Sequence, residues 1–319
     1  MSNTETSPRE VTCTDGDQPS GVQILTAREV PLGGPRALLV RRTLPQRART
    51  LIGAWCFADH YGPDTTPMVV PPHPHTGLQT VSWLFDGEIE HRDSGGHHLF
   101  VRPGELNLMT GGRGIAHSEV STDKTETLHG VQLWVALPDE ARDVPRDLQS
   151  YRPEPVRLGG AVAKVFLGSL AGTASPVRTY TPLLGAELVL DPGAGVELSL
   201  DETFEHGILL DQGELAVTGV PVNPAELAYL APGHTTVELR AGAGEPARIL
   251  LLGGPPFGEE IVMWWNFVGR SHDEIVEFRA AWEAGADRFG EVDGYIGTPH
   301  RLPAPALPNA VIKPRRNPG

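Results

Sequence analysis

From Val22 onward the chain runs in short stretches where apolar and polar residues alternate, each broken by Gly, Pro, Asp or Asn. A period of two places successive side chains on opposite faces of a strand. Across residues 78–89 (LQTVSWLFDGEI), Val81, Trp83 and Phe85 fall on one face and Thr80, Ser82 and Leu84 on the other. Asp86-Gly87 then supplies a turn. Similar runs recur at 105–109, 130–137, 161–168, 186–190, 207–210, 227–230 and 247–252. Strands this dense predict an all-β sandwich or barrel. The one persuasive helix comes late. Ser271 and Glu274 make a capping-box pattern, and Ile275, Phe278 and Trp282 follow at helical spacing until Gly285.

A weak internal repeat runs through this pattern. Gly87-Glu88-Ile89 followed by Pro103-Gly104-Glu105-Leu106 resembles Gly213-Glu214-Leu215 followed by Pro224-Ala225-Glu226-Leu227. Two β domains from an old duplication are therefore expected. The boundaries read as a polar, disordered N-terminus at 1–22, a first barrel at 23–138, and a charged, Pro-punctuated linker at 139–155. A second barrel follows at 156–270, then the helix and a Pro-rich tail at 271–319. The tail is expected to wrap the surface or a neighbouring domain.

Composition narrows the function. The chain has 319 residues with 37 Gly and 30 Pro in no collagen-like period, which suits tight turns. Acidic residues outnumber basic ones by 40 to 26, for a net charge of −14. That field repels phosphate backbones and anionic lipid, which argues against general nucleic-acid or membrane binding. Cys13 and Cys56 alone make no disulfide framework, so a reducing compartment is expected. The first twenty residues lack the apolar centre of a secretory signal, and no run approaches a membrane span. The reading is soluble and cytoplasmic.

The chemistry concentrates in two segments. His73-Pro74-His75 and His117-Ser118-Glu119 each place side chains at i and i+2, on the same side of a strand. Three imidazoles and one carboxylate form a mixed set suited to Fe(II), Mn(II), Ni(II) or Zn(II). Four protein ligands on a six-coordinate ion leave two positions for water, substrate or dioxygen. His91, His97 and His98 lie in HRDSGGHH, read as a solvated loop at the barrel mouth. His60, in ADHYGP, reads as a turn residue or one supporting a ligand from behind, and His129 as a possible lining residue at the head of a strand. Cys56, in AWCFA, reads as a small buried hydrophobe. No P-loop, dinucleotide fingerprint or nucleophile elbow is present.

PPHPHTGLQTVSWLFDGEIEHRDSGG, PGELNLMTGGRGIAHSE and LHGVQLWVALP together resemble the pirin family of bicupins, over about residues 23–290. Asp59-His60-Tyr61-Gly62-Pro63 upstream and Gly253-Gly254-Pro255-Pro256 downstream extend the likeness. The resemblance implies two double-stranded β-helix barrels. It also implies one divalent metal ion, expected to be Fe(II), bound in the first barrel by His73, His75, His117 and Glu119, and none in the second. Projecting the repeat puts Ser199, Asp201, Glu238 and Arg240 at the second barrel's equivalent positions. Some pirins act like quercetin 2,3-dioxygenase, opening a flavonol ring with dioxygen and releasing carbon monoxide; Glu119 is then also the candidate catalytic base. Others act as iron-bound regulators through protein partners, without turnover. A flavonol-like aromatic substrate or a protein partner is thus expected. A zinc hydrolase is disfavoured, because four protein ligands leave tetrahedral zinc no open position. Trp264-Trp265 and the long tail depart from the common family pattern.

Overall fold

A computed structural model of the chain describes residues 21–32 and 38–317. Most of the expected N-terminal disorder, at residues 1–20, thus lies outside the described residues. Among those described, strands dominate and one α-helix, His272–Glu283, stands near the end.

Two units share one plan. In the first, a seven-stranded antiparallel sheet runs in the spatial order Asp147–Tyr151, Leu106–Thr110, Leu78–Asp86, Leu128–Ala136, Trp55–Asp64, Leu38–Leu44 and Arg28–Leu32. A four-stranded sheet, Val69–His75, Ile115–Ser121, Ile89–Asp93 and His98–Val101, accompanies it. The second unit repeats this order with Val22–Leu25, Leu227–Leu230, Glu205–Gln212, Ala247–Gly254, Leu184–Leu190, Ala161–Leu167 and Val156–Leu158. Its smaller sheet is Gly195–Ser199, Thr236–Ala241, Leu215–Val217 and Val220–Val222. The repeat in the sequence is thus a repeat of topology.

Two boundaries differ from the sequence reading. Val22–Leu25 joins the second unit, pairing Val22 with Leu230 and Leu25 with Leu227. In the first unit the equivalent edge is filled by Asp147–Tyr151, which lies inside the stretch read as linker and pairs with Leu106–Thr110. Each is an edge strand. An edge strand needs a ladder on one side only and tolerates polar residues, so DLQSY carries little alternation to betray it.

Both faces of the strand Leu78–Asp86 are buried. Val81 and Trp83 pack with Trp55 and Leu133 of the first unit against Phe166, Leu209, Leu250 and Leu252 of the second. Trp83 Nε1 crosses this contact to donate to Glu187 Oε2 at 2.8 Å. Ser82 and Leu84 turn the other way, toward Glu119 and the core of the first unit. The second unit closes over Val196, Leu198, Ile208, Val237, Leu239 and Ile249.

The C-terminal segment returns to the first unit. The helix is capped by Ser271, whose hydroxyl accepts from Glu274 N at 3.2 Å. The Glu274 carboxylate does not close the box on Ser271; it accepts from Arg270 N at 2.6 Å. Ile275 and Trp282 pack with Phe267, Phe289 and Ala116. Further on, Leu302 N donates to Pro72 O at 2.8 Å, beside His73. Asn317 brackets Leu51, accepting from its N–H at 2.8 Å and donating to its carbonyl at 2.9 Å.

Candidate metal centre

His73 and His75 stand on Val69–His75, and His117 and Glu119 on the adjacent Ile115–Ser121. The ladder sets His73 directly opposite His117 and His75 opposite Ile115. It shifts register between His117 and Glu119, so that Glu119 faces Val70 on that side. On its other side Glu119 lies across from His91. Side chains directly opposite in an antiparallel pair share a face, which explains how His73 meets His117 on one side and Glu119 meets His91 on the other.

The ring nitrogens of His73, His75 and His117 lie within 4.8 Å of one another. His91, His117 and Glu119 form an overlapping group of the same span, with His117 common to both. His75 Nε2 is 3.0 Å from His117 Nε2, and the His73 and His117 ring centroids are 4.3 Å apart. Each of these side chains is at most 2 % exposed. Burial, reinforced by neighbouring imidazoles, holds the pKa values of His73, His75 and His117 well below 6.5, so the rings are neutral near pH 7.

Tautomers follow from the hydrogen bonds. His73 Nδ1 lies 2.9 Å from Pro71 O and His75 Nδ1 3.1 Å from Asn266 O. A carbonyl can only accept, so both Nδ1 atoms carry the proton and both Nε2 atoms keep a lone pair. His73 Nε2 is buried with no hydrogen-bond partner among the described residues. A buried lone pair without a donor is costly, and a cation satisfies it. The residues fit a divalent transition metal.

Around them, Trp134 sets its edge against His75 at 5.2 Å between centroids and stacks on Phe57 at 4.2 Å. Ser82 Oγ donates to Glu119 Oε1 at 3.2 Å, and lies 2.9 Å from Gln132 Oε1. Asn266 comes from the C-terminal turn between Val262–Trp264 and Phe267–Gly269, which reaches the centre because Gly77 makes room. Gly77 has φ +66°, and a Cβ there would stand 2.3 Å from Val268 O. Trp265, just before Asn266, also takes a positive φ of 54°. The Trp pair thus lies in the turn that delivers a carbonyl to His75.

Three sequence readings are corrected. His91 is not a solvated loop residue: it is buried in Ile89–Asp93, with Nε2 3.2 Å from Asp93 Oδ2. The missed signal was the alternation in IEHRD, which carries the strand past the Asp86-Gly87 turn; His98 too lies in a strand, with an exposed side chain. His60 is no turn residue, since ADHYGP lies within the strand Trp55–Asp64. In the second unit Ser199, Asp201, Glu238 and Arg240 are all exposed. Glu238 pairs with Arg240 at 2.7 Å, while Val196, Leu198, Val237 and Leu239 take the inward positions. The projection there found the outward face. Cys56 is buried, and desolvation pushes its thiol up to about 12, which suits a core residue.

A duplicated pair of antiparallel barrels, the first enclosing a histidine cluster with a glutamate, defines a bicupin. The family model for pirin matches residues 37–135, and that for the pirin C-terminal cupin domain matches residues 185–290. A Pseudomonas aeruginosa protein provisionally named a quercetin 2,3-dioxygenase is 46% identical over 90% of this chain and 91% of its own. A Caulobacter vibrioides pirin-like protein is 36% identical over 85% and 96%. The crystal structure of a quercetin 2,3-dioxygenase from Acinetobacter baumannii superposes with a TM-score of 0.86 at 37% identity, covering 92% of this chain and 97% of that one. The chain belongs to the pirin family. Among the described residues, no helix is long and apolar enough to cross a membrane.

Proposed function

We propose that this protein is a metal-dependent dioxygenase of the quercetin 2,3-dioxygenase type, with Fe(II) held by His73, His75, His117 and Glu119 and a flavonol as substrate. The observation that carries the reading is the buried Nε2 of His73, without a hydrogen-bond partner among the described residues, with the Nδ1 protons of His73 and His75 already engaged by backbone carbonyls. The names of the Pseudomonas and Acinetobacter relatives supply the reaction class. When bound, the ion supplies open coordination positions and redox chemistry toward dioxygen. The chain's own residues do the rest. The carbonyls of Pro71 and Asn266 hold two imidazoles in the ligating tautomer. Glu119, oriented by Ser82, takes the flavonol hydroxyl proton. Trp134 and Phe57 keep water from the His75 side. The test is aerobic turnover of quercetin by iron-loaded protein with carbon monoxide detected. His117→Ala is expected to lose metal and turnover while keeping its far-ultraviolet spectrum; a metal-replete protein that consumes no flavonol refutes the reading.

Burial of the whole centre favours a second reading, an iron-bound regulator that acts through a protein partner. The C-terminal segment crosses the ligand strand at Leu302 and Phe267 and is placed to carry a change of iron charge to the surface. Partner capture that depends on iron oxidation state, with no oxygen consumed, supports this alternative. We further propose a cytoplasmic location, which the low cysteine count supports.

A further inference from the structure

A second cluster lies between the two barrels. His60 on Trp55–Asp64 and His129 on Leu128–Ala136 come from the first unit, and Asp211 on Glu205–Gln212 from the second. All three are buried. Asp211 Oδ1 is 2.6 Å from both His60 Nε2 and His129 Nε2, and those two nitrogens are 3.4 Å apart. We propose that these three side chains are a second transition-metal site, one that ties the two barrels together.

Charge and chemistry support it. Arg248 Nε donates to Asp211 Oδ2 at 2.5 Å, which compensates the charge of the carboxylate. Burial lowers the His60 pKa, so that ring is neutral at pH 7 with a nitrogen lone pair to give. Asp211 is held far below the usual carboxylate range despite its burial, by the hydrogen bonds from His129 and His60. Two imidazoles and one carboxylate are a donor set for Zn(II), Co(II) or Fe(II). Phe85 walls the site, with its ring centroid 5.0 Å from His129 and 6.4 Å from His60.

Geometry sets what binding must change. Bonds near 2.0–2.1 Å in a tetrahedral site hold donors about 3.3 Å apart. The imidazole pair already has that spacing, and the carboxylate has to withdraw by roughly 0.7 Å. Without an ion, both Nε2–H groups can donate to Oδ1. Metal bound at Nε2 leaves each ring's proton on Nδ1. At His60 that nitrogen is buried and without a partner among the described residues. At His129 it stands 3.4 Å from Arg248 Nη2, a contact too long to be strong, and Arg248 must turn slightly. Arg248 and Arg41 both carry positive charge here, which favours a site weaker than the first centre.

The experiment uses the full chain carrying His73→Ala and His117→Ala, which takes two imidazoles from the first group and the shared His117 from the second. Zn(II) is titrated against a chromophoric chelator, and Co(II) absorption reports the ligand set. One Zn(II) per chain is expected, with a rise in melting temperature because the ion bridges both units. His60→Gln and Asp211→Asn, made separately so that misfolding of one leaves the other informative, should each weaken Zn(II) at least ~10-fold and abolish the thermal shift. Zn(II) bound no more tightly than by the His60→Gln variant, or an unchanged Co(II) spectrum in both variants, overturns the proposal and leaves a hydrogen-bonded clasp.

Discussion

His206 offers a prediction whose size can be worked from the structure. It lies in the core strand Glu205–Gln212, on the same face as Ile208 and Leu210 of the second unit's apolar cluster. Both ring nitrogens are buried without a hydrogen-bond partner among the described residues. Burial brings its pKa from 6.5 down to about 4, against the opposing charge of Asp201. The folded state therefore resists a proton that the unfolded chain accepts readily. Stability from this group is complete above pH 6.5 and is lost as pH falls toward 4. One proton over that interval amounts to about 3 kcal/mol, a sizeable part of a typical folding free energy. His206→Leu removes the titration while keeping an apolar side chain of similar bulk. Urea denaturation of wild type and variant at half-unit steps from pH 8 to 4.5 reads the effect of His206 together with its coupling to Asp201, since the remaining groups titrate in both proteins. The difference curve should slope by roughly 1 kcal/mol per pH unit below pH 6. A difference that stays flat across the range refutes the assignment. Metal content of the first centre should be the same in both proteins.

Further outcomes follow from particular contacts. Arg42 grips Asp59 through two buried hydrogen bonds of 2.6 and 2.8 Å, so Arg42→Met strands a carboxylate and should cost about 3–5 kcal/mol in denaturant unfolding, much of it recovered by adding Asp59→Leu. Gly77→Ala drives a Cβ into Val268 O, so the turn carrying Asn266 must move; isothermal titration should show Fe(II) or Ni(II) bound about tenfold more weakly, with the fold kept. Trp83→Phe leaves Glu187 without its indole donor in the contact between the units and should lower stability by about 1–3 kcal/mol. At pH 8 the Cys56 thiol, raised to about 12, should escape iodoacetamide in the folded protein and react in urea, as read by peptide mass spectrometry.

Alternation and spacing were enough to read two β barrels, the duplicated plan and the pairing of His-x-His with His-x-Glu, because strand periodicity and i, i+2 geometry are local properties of the backbone. Ser271 likewise announced the helix, since an N-cap is satisfied within one turn. Family resemblance added the bicupin class. What stayed hidden depends on partners distant in the chain. Val22–Leu25 belongs to the second sheet only because Leu227–Leu230 offers it an edge. His91 reaches the centre only through its register against Glu119. Projection of the repeat chose Ser199 and Arg240, because which face of a strand looks inward is set by the sheet it closes against. His60, His129 and Asp211 meet only when two barrels dock, and no spacing along one strand encodes a contact made between domains.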